Sequence, residues 1–476
     1  MAEKMIGLCL AENDRQEARR LAFPHLRVQG QPTVSDGLPF DQLLVHHVLL
    51  GRGRERIFIL TEIPMAPGPL EIPPVVTKVH EALGPFLHST WYAMGTGGWH
   101  EVIHIVRQMR EFAADALIAV GSDLIIDLAK VVLYAHSSLI ADEEKLLEIL
   151  LQPTPTEIEN SRGRLLDREE EPHRPQLDFF CIPTTCGGAA FTQRAFGFNE
   201  AMRRCCTLVR TLNYPKIVIL DGEATMSTPL GDWNTKGAEA INHAVEGILS
   251  INASPHVVRQ LTDALKLLCA GLLATKRSPQ HVEARHATLR GANIAMAPLA
   301  SRPQVSWGAS HAFCNAGHRL FVTEPGLMAA VVLPSVLEFN VVKIRCQPSL
   351  GAIQKMADQY RGMAAALWEP RTSREFFQHR GFKQNTTNIA NMLRALFNYL
   401  GLPSNLAALG ITKKSQRQLL AEGAVCDPCS QSAPVRLMHS DHAMQALERV
   451  RGAEEPEDEE LPIQQSIETD GPVGCP

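Results

Sequence analysis

DALIAVGSDLIIDLAKVVLYAHSS, residues Asp115 to Ser138, reads as a strand, a short turn and a helix. Asp115–Gly121 is a short apolar run ending in glycine. From Ile125 the apolar residues recur at helical spacing. Working outward, HEVIHIVRQMREFAA (His100–Ala114) is an amphipathic helix, STWYAMG (Ser89–Gly95) a strand and VVTKVHEALGPFL (Val75–Leu87) a helix. RIFIL (Arg56–Leu60) is a strand that ends at Thr61-Glu62, before the proline-rich loop PMAPGPLEIPP. On the other side, DFFCIPTT is a strand entering a turn at Gly187-Gly188, and KIVILD (Lys216–Asp221) is another. Strands alternating with helices in this rhythm predict a parallel sheet with crossover helices. From about Thr228 the strand signals fade, and helical patterns run to about Val450.

The expected fold is therefore an α/β N-terminal lobe with a Rossmann-like parallel sheet, an all-α C-terminal lobe and a cleft between them. The predicted divisions are 1–50 (N-terminal extension and first strands), 51–225 (nucleotide-type domain), 226–450 (helical domain) and 451–476 (acidic, disordered tail). The charged, proline-bearing stretch from Glu157 to Pro175 reads as a surface excursion.

Composition sets limits on function. The chain has 476 residues, 45% hydrophobic and 20% charged, with a formal net charge of −5. Such a balance offers no basic field for nucleic acid, and 6% aromatics are too few for a base-stacking surface. No stretch reads as the roughly 20 apolar residues that span a bilayer, and LMAAVVLP (Leu327–Pro334) is a short buried segment. The N-terminus lacks the pattern of a secretory signal. Eleven irregularly spaced cysteines predict reduced thiols in the cytoplasm. Cys426-Asp-Pro-Cys429 has no partner pair and reads as a loop with two incidental cysteines.

The chemistry concentrates in NTKGAEAINHAVEGILS, Asn234–Ser250. As a helix it sets Glu239 and His243 one turn apart on one face, where a carboxylate and an imidazole can share a metal ion or a proton. His311, in GASHAFCNAGH, lies in the other histidine-bearing segment of this character.

Six segments, in order, resemble the iron-containing alcohol dehydrogenase and dehydroquinate synthase-like superfamily. They are ADALIAVGSDLIIDLAK, FFCIPTTCGGAAFT, IVILDGEATMSTPLGDW, GAEAINHAVEGILS, VEARHATLRGANIA and GASHAFCNAGHRLFVTEPGLMAAVVLP. The Pro-Thr-Thr-x-x-Gly-Gly and Asn-His-Ala-Val-Glu-Gly wording is most similar to the maleylacetate reductase-like branch. The resemblance implies an NAD(P) site formed by Glu62, Gly121, Ser122, Asp127, Lys130, Thr184 and Thr185. In it Glu62 would take ribose hydroxyls and Thr184 and Thr185 would face the cofactor. It also implies a metal site: family members use Asp and His one turn apart and then two further histidines.

Three departures qualify these expectations. Where relatives carry Gly-Gly-Gly-Ser, this chain has Gly121-Ser122-Asp123-Leu124, which puts a carboxylate at the expected pyrophosphate position. As a benign alternative, Asp123 caps the helix. The metal positions fall on Glu239, His243, His311 and Pro325, and proline cannot ligate through its side chain. Glu239, His243 and His311 remain as an incomplete set for iron or zinc, with His318 or Glu324 as substitutes for the fourth ligand. A cleft without metal is the favoured expectation. Finally, Asn315 stands where relatives often carry a second histidine, and an amide cannot relay protons.

The function expected from these residues is a diverged NAD(P)-dependent oxidoreductase with weak dinucleotide affinity. It would act on a carbonyl, alcohol or enone of specialised metabolism, with His243, His311 and Asn315 at the substrate. One alternative is non-redox isomerase, lyase or cyclase chemistry using Glu239, His243 and His311; another is an inactive relative that binds a partner. The expected partners are a small-molecule substrate, no nucleic acid and no membrane, and a homodimer is compatible with the reading.

Overall fold

A computed structural model of the chain describes residues 33–35, 56–63, 72–84, 87–93, 100–146, 177–199, 204–209, 214–300, 305–345, 350–431 and 434–455. The expected excursion from Glu157 to Pro175, most of the proline-rich loop and all but the start of the acidic tail lie outside these residues.

The strands are β1 (Thr33–Ser35), β2 (Arg56–Glu62), β3 (Leu87–Ala93), β4 (Ala116–Gly121), β5 (Asp178–Pro183), β6 (Arg194–Asn199), β7 (Arg204–Val209) and β8 (Ile217–Ile219). Helices α1 (Pro74–Leu83), α2 (His100–Phe112) and α3 (Asp123–Ser137) lie among them. Six strands form one sheet in the order β1-β8-β5-β4-β2-β3, and every pairing in it is parallel. The parallel pairing explains the uninterrupted apolar runs, because both faces of the sheet are covered. Ile57, Ile59, Ile118, Val120, Phe180 and Ile182 point to one face, against Val75, Val76 and Val79 of α1. Phe58, Leu60, Leu117, Ala119, Phe179 and Cys181 point to the other, against α2 and α3, in a core that runs on into the helical lobe.

β1 lies in the N-terminal stretch expected to hold an extension and first strands, and it pairs with β8 at the sheet edge. One feature escaped the sequence reading. β6 and β7 form a separate antiparallel pair, Arg194 opposite Val209 through Asn199 opposite Arg204. Short strands of this kind carry too little pattern to be legible alone. Element ends also moved. α2 stops at Phe112 because Ala113 turns into the left-handed region, with φ 53°.

After β8 every described element is helical. The helices are α4 (Leu230–Leu249), α5 (Pro255–Arg277), α6 (Val282–Met296), α7 (Ala309–Phe321), α8 (Pro325–Ile344), α9 (Leu350–Trp368), α10 (Arg371–Gln378), α11 (Ile389–Leu400), α12 (Lys414–Val425) and α13 (Ser440–Leu447). The segment read as a short buried piece at Leu327–Pro334 is part of α8, a 20-residue helix long and apolar enough to cross a bilayer by length and composition. Its window is 72% buried, so the helix forms the centre of the helical lobe.

Candidate active site

The site is built at the junction of the lobes, starting from the N-terminus of α3. Ser122 is the N-cap of this helix but makes no side-chain cap bond. A helix N-terminus leaves N–H groups that attract an anion, and here the chain supplies its own. Ser122 donates from its backbone N–H to Glu62 Oε1 (3.1 Å) and from its hydroxyl to Glu62 Oε2 (2.6 Å). Burial raises the pKa of the Glu62 carboxyl, against the pull of the Ser122 hydrogen bonds. Glu62, expected to hold ribose hydroxyls, is thus committed to the phosphate loop itself.

Asp123 fills the space beside that loop. Its Oδ1 accepts the Ala189 N–H at 3.3 Å, and a Cβ placed on Gly187 would lie 1.6 Å from its Oδ2. Any side chain at 187 would have to push the Asp123 carboxylate aside. A Cβ on Gly188 would meet Met296 Cε at 2.9 Å and His243 Cε1 at 3.4 Å, so this glycine lets the nucleotide lobe close on the helical lobe. Thr184 is held by its backbone: its N–H donates to the Gly121 carbonyl (2.9 Å) and its carbonyl accepts the Thr228 hydroxyl (2.7 Å). The buried Thr185 hydroxyl has no hydrogen-bond partner among the described residues.

Asp127 and Lys130, expected at the cofactor, are turned into the fold instead. Lys130 is fully buried and donates to Asp127 Oδ1 (2.9 Å), the Ala189 carbonyl (2.7 Å) and the Arg194 carbonyl. Its three N–H bonds are spent tying α3 to β6 and the glycine loop.

On the helical side, Lys236, Glu239, His243 and Glu246 fall at spacings of three, four and three along one face of α4. Lys236 Nζ lies 3.1 Å from Glu239 Oε2, 2.6 Å from Glu324 Oε1 and 3.3 Å from Asp123 Oδ2. Burial alone would lower its pKa, but the Glu239, Glu324 and Asp123 carboxylates carry it well above the ordinary value. Glu239 is raised, chiefly by burial and against the pull of Lys236.

The rings of His243 and His311 lie together. Their ring centroids are 5.0 Å apart, and both stack on Trp307, at 4.5 Å and 3.9 Å. His243 is held well below its ordinary pKa by burial, then by the charges of His311 and Lys236, and is therefore neutral. Its Nδ1 has no partner among the described residues. His311 Nδ1 faces Asn242 Nδ2 at 3.0 Å, and the Ser310 and His311 N–H groups donate to Glu246 at 2.7 Å and 3.0 Å. Trp307, Asn242, Glu246 and Lys236 were missed in the sequence. The helical spacing from Glu239 could have found Lys236 and Glu246, but nothing local marks Trp307.

Asn315 lies one turn past His311, but its amide donates to Asp427 Oδ2 at 3.2 Å and faces Cys429 Sγ at 3.9 Å. Its hydrogen bonding therefore serves the loop after α12, not a free position beside His311. Among the described residues, Cys426, Cys429 and the buried Cys181, Cys186, Cys269 and Cys314 form no disulfide.

The residues present do not fit a four-ligand iron site. Glu239 is engaged by an ammonium, His311 Nδ1 is engaged by Asn242, and Pro325 begins α8 where a fourth ligand would stand. Among the described residues no three His, Cys, Asp or Glu side chains are grouped to hold a metal ion. The dinucleotide frame fits better. The β4–α3 turn and the unpartnered Thr185 hydroxyl are in place, although Glu62 has taken the helix N-terminus.

Comparison with known proteins agrees with this architecture. Residues 95–222 match the family described as iron-containing alcohol dehydrogenase, and residues 235–449 match the C-terminal part of the Fe-containing alcohol dehydrogenase family. The chain is 26% identical to dehydrogenase FUM7 of Gibberella moniliformis over 429 residues, 86% of this chain and 93% of that one. It is 26% identical to a maleylacetate reductase of Burkholderia cepacia over 262 residues, covering 54% and 64%. Among solved structures, an alcohol dehydrogenase from Oenococcus oeni superposes with a TM-score of 0.69 at 17% identity, over 88% of this chain and 98% of that one. A maleylacetate reductase from Agrobacterium tumefaciens gives 0.64 at 18%, over 89% and 97%. The first matched region ends just after the last strand and the second begins in the second turn of α4, the helix that carries Lys236, Glu239 and His243, and the chain belongs to the iron-containing alcohol dehydrogenase family.

Proposed function

We propose that the protein is an NAD(P)-dependent oxidoreductase of diverged type, acting on a carbonyl, alcohol or enone of a small molecule and binding its dinucleotide weakly. The observation that carries this reading is the meeting of His243, buried and neutral, with the glycine loop of the nucleotide lobe at Gly188. Bound at the β4–α3 turn and the Thr184–Thr185 segment, a nicotinamide dinucleotide would supply or accept the hydride. Around it, the chain's own residues exclude water and orient the substrate. The Nδ1 of His243 is free to meet a substrate oxygen, and Trp307 and Asn242 fix the ring of His311 beside it.

The weak step is the pyrophosphate. Seating it at the N-terminus of α3 requires Glu62 to release Ser122 and brings phosphate towards Asp123. Charge-assisted hydrogen bonds of the kind lost are worth about 1.5–3 kcal/mol each. Titration with NADH and NADPH, followed by fluorescence and thermal shift, tests the reading. The S122G/D123G double variant should bind at least about tenfold more tightly, roughly 1.4 kcal/mol. If it binds no better than the parent, the phosphate loop is not the obstacle. Non-redox acid–base chemistry then becomes the preferred reading, a reading favoured by the raised pKa of the buried Glu239 beside neutral His243.

A further inference from the structure

We propose that Lys236 is the resident cation of this site: its ammonium, held by Asp123, Glu239 and Glu324, takes the place of a divalent metal ion and excludes one. The three carboxylates come from separate parts of the chain. Asp123 opens α3 in the nucleotide lobe, Glu239 lies one turn beyond Lys236 on α4, and Glu324 is the N-cap of α8. All three have an oxygen within 3.3 Å of Nζ, and the lysine side chain is only 19% exposed.

The location gives the ammonium its meaning. Glu239 is the carboxylate of the expected metal set, and Glu324 directly precedes Pro325, where the fourth ligand is missing. A single positive charge therefore stands where a doubly charged ion would be bound, and it also joins the two lobes. Its charge reaches His243, where it helps to keep the imidazole neutral. The ammonium leaves the cluster with surplus negative charge, because three carboxylates face one cation. Removing it should let the three carboxylates, which are not grouped as metal ligands around the lysine, draw together on a divalent ion such as Mn2+.

The test uses the full chain and Mn2+ alone, followed by loss of the free-ion electron paramagnetic resonance signal. The parent should leave Mn2+ in solution. Lys236→Met should bind about one ion per chain, at least tenfold more tightly than the parent. Lys236→Arg, which keeps the positive charge, should behave as the parent does. A Lys236→Met chain that folds only when Mn2+ is present supports the proposal equally. If neither condition yields folded protein, the K236M/E324Q variant, which strands one carboxylate fewer, is titrated in its place. Stoichiometric Mn2+ on the parent overturns the proposal, as does a lysine-free variant that binds no more tightly than the parent. None of these readouts requires dinucleotide or substrate, so the outcome is independent of the redox reading.

Discussion

His243 is 3% exposed and stacked on Trp307, and burial, reinforced by the Lys236 ammonium, holds it neutral. This has a consequence for stability. In the unfolded chain a histidine titrates near about 6.5, whereas in the fold His243 titrates well below that. Between the two pKa values the unfolded state binds more protons, so its contribution rises with pH and is complete above the unfolded value. Stability should accordingly fall as pH drops below about 6.5, with His243 contributing up to about 1.4 kcal/mol per pH unit. His243→Phe, which keeps a ring against Trp307, should remove that share of the slope and abolish activity. Urea melts of both proteins across this pH range check it; equal slopes would show that the ring is not the group responsible. The helical spacing of Glu239 and His243 was legible in the sequence, because neighbours on a helix face are fixed by its pitch. The partners of His243 were not.

Helix α7 carries His311, and its position depends on its first turn. Gly308 provides no side-chain cap, and the N–H groups of Ser310 and His311 donate instead to the Glu246 carboxylate, a buried group on α4. Both bonds are charge-assisted and stand at the positive end of a helix dipole. Glu246→Ala should therefore destabilise the protein by about 2–4 kcal/mol, read as a lower urea midpoint at unchanged m-value, and should lower activity by loosening His311. A midpoint within error of the parent would place the anchor of α7 elsewhere. The same element scale explains Gly187. Alanine there must displace Asp123, so Gly187→Ala should weaken the glycine loop even though an alanine is ordinarily a mild change. A melting temperature equal to that of the parent would show that Asp123 swings aside freely.

Across the whole molecule the two lobes are joined by polar ties as well as apolar core. Arg285, buried on α6, donates to the carbonyls of Thr225 (2.6 Å), Thr228 (3.3 Å) and Pro279 (2.9 Å) and lies over the Trp233 ring. Thr225 and Thr228 belong to the connection between β8 and α4, and the Thr228 hydroxyl binds the Thr184 carbonyl in turn. Arg285→Met leaves the buried carbonyls of Thr225 and Thr228 without that donor and should cost about 2–4 kcal/mol. The loss should appear in chemical denaturation and, through Thr184, in weakened dinucleotide binding. Unchanged stability would mean that other groups satisfy the connection.

The sequence by itself determined the layered plan: parallel strands with crossover helices, a helical second half, and Glu239 and His243 on one helix face. Each of these is written as a local repeat of apolar and polar residues, which the geometry of strand or helix imposes over a few positions. It also exposed the departures at Asp123, Asn315 and Pro325, since these are matters of residue identity. Tertiary structure alone decided what answers them. Asp123 and Glu324 are separated from Lys236 by long stretches of chain, Trp307 is far in sequence from His243, and Glu62 reaches Ser122 across neighbouring strands. β1 likewise finds β8 only in the folded sheet. Contacts at such separations depend on how the lobes pack and where burial forces a charge to find a partner, and no local pattern encodes that.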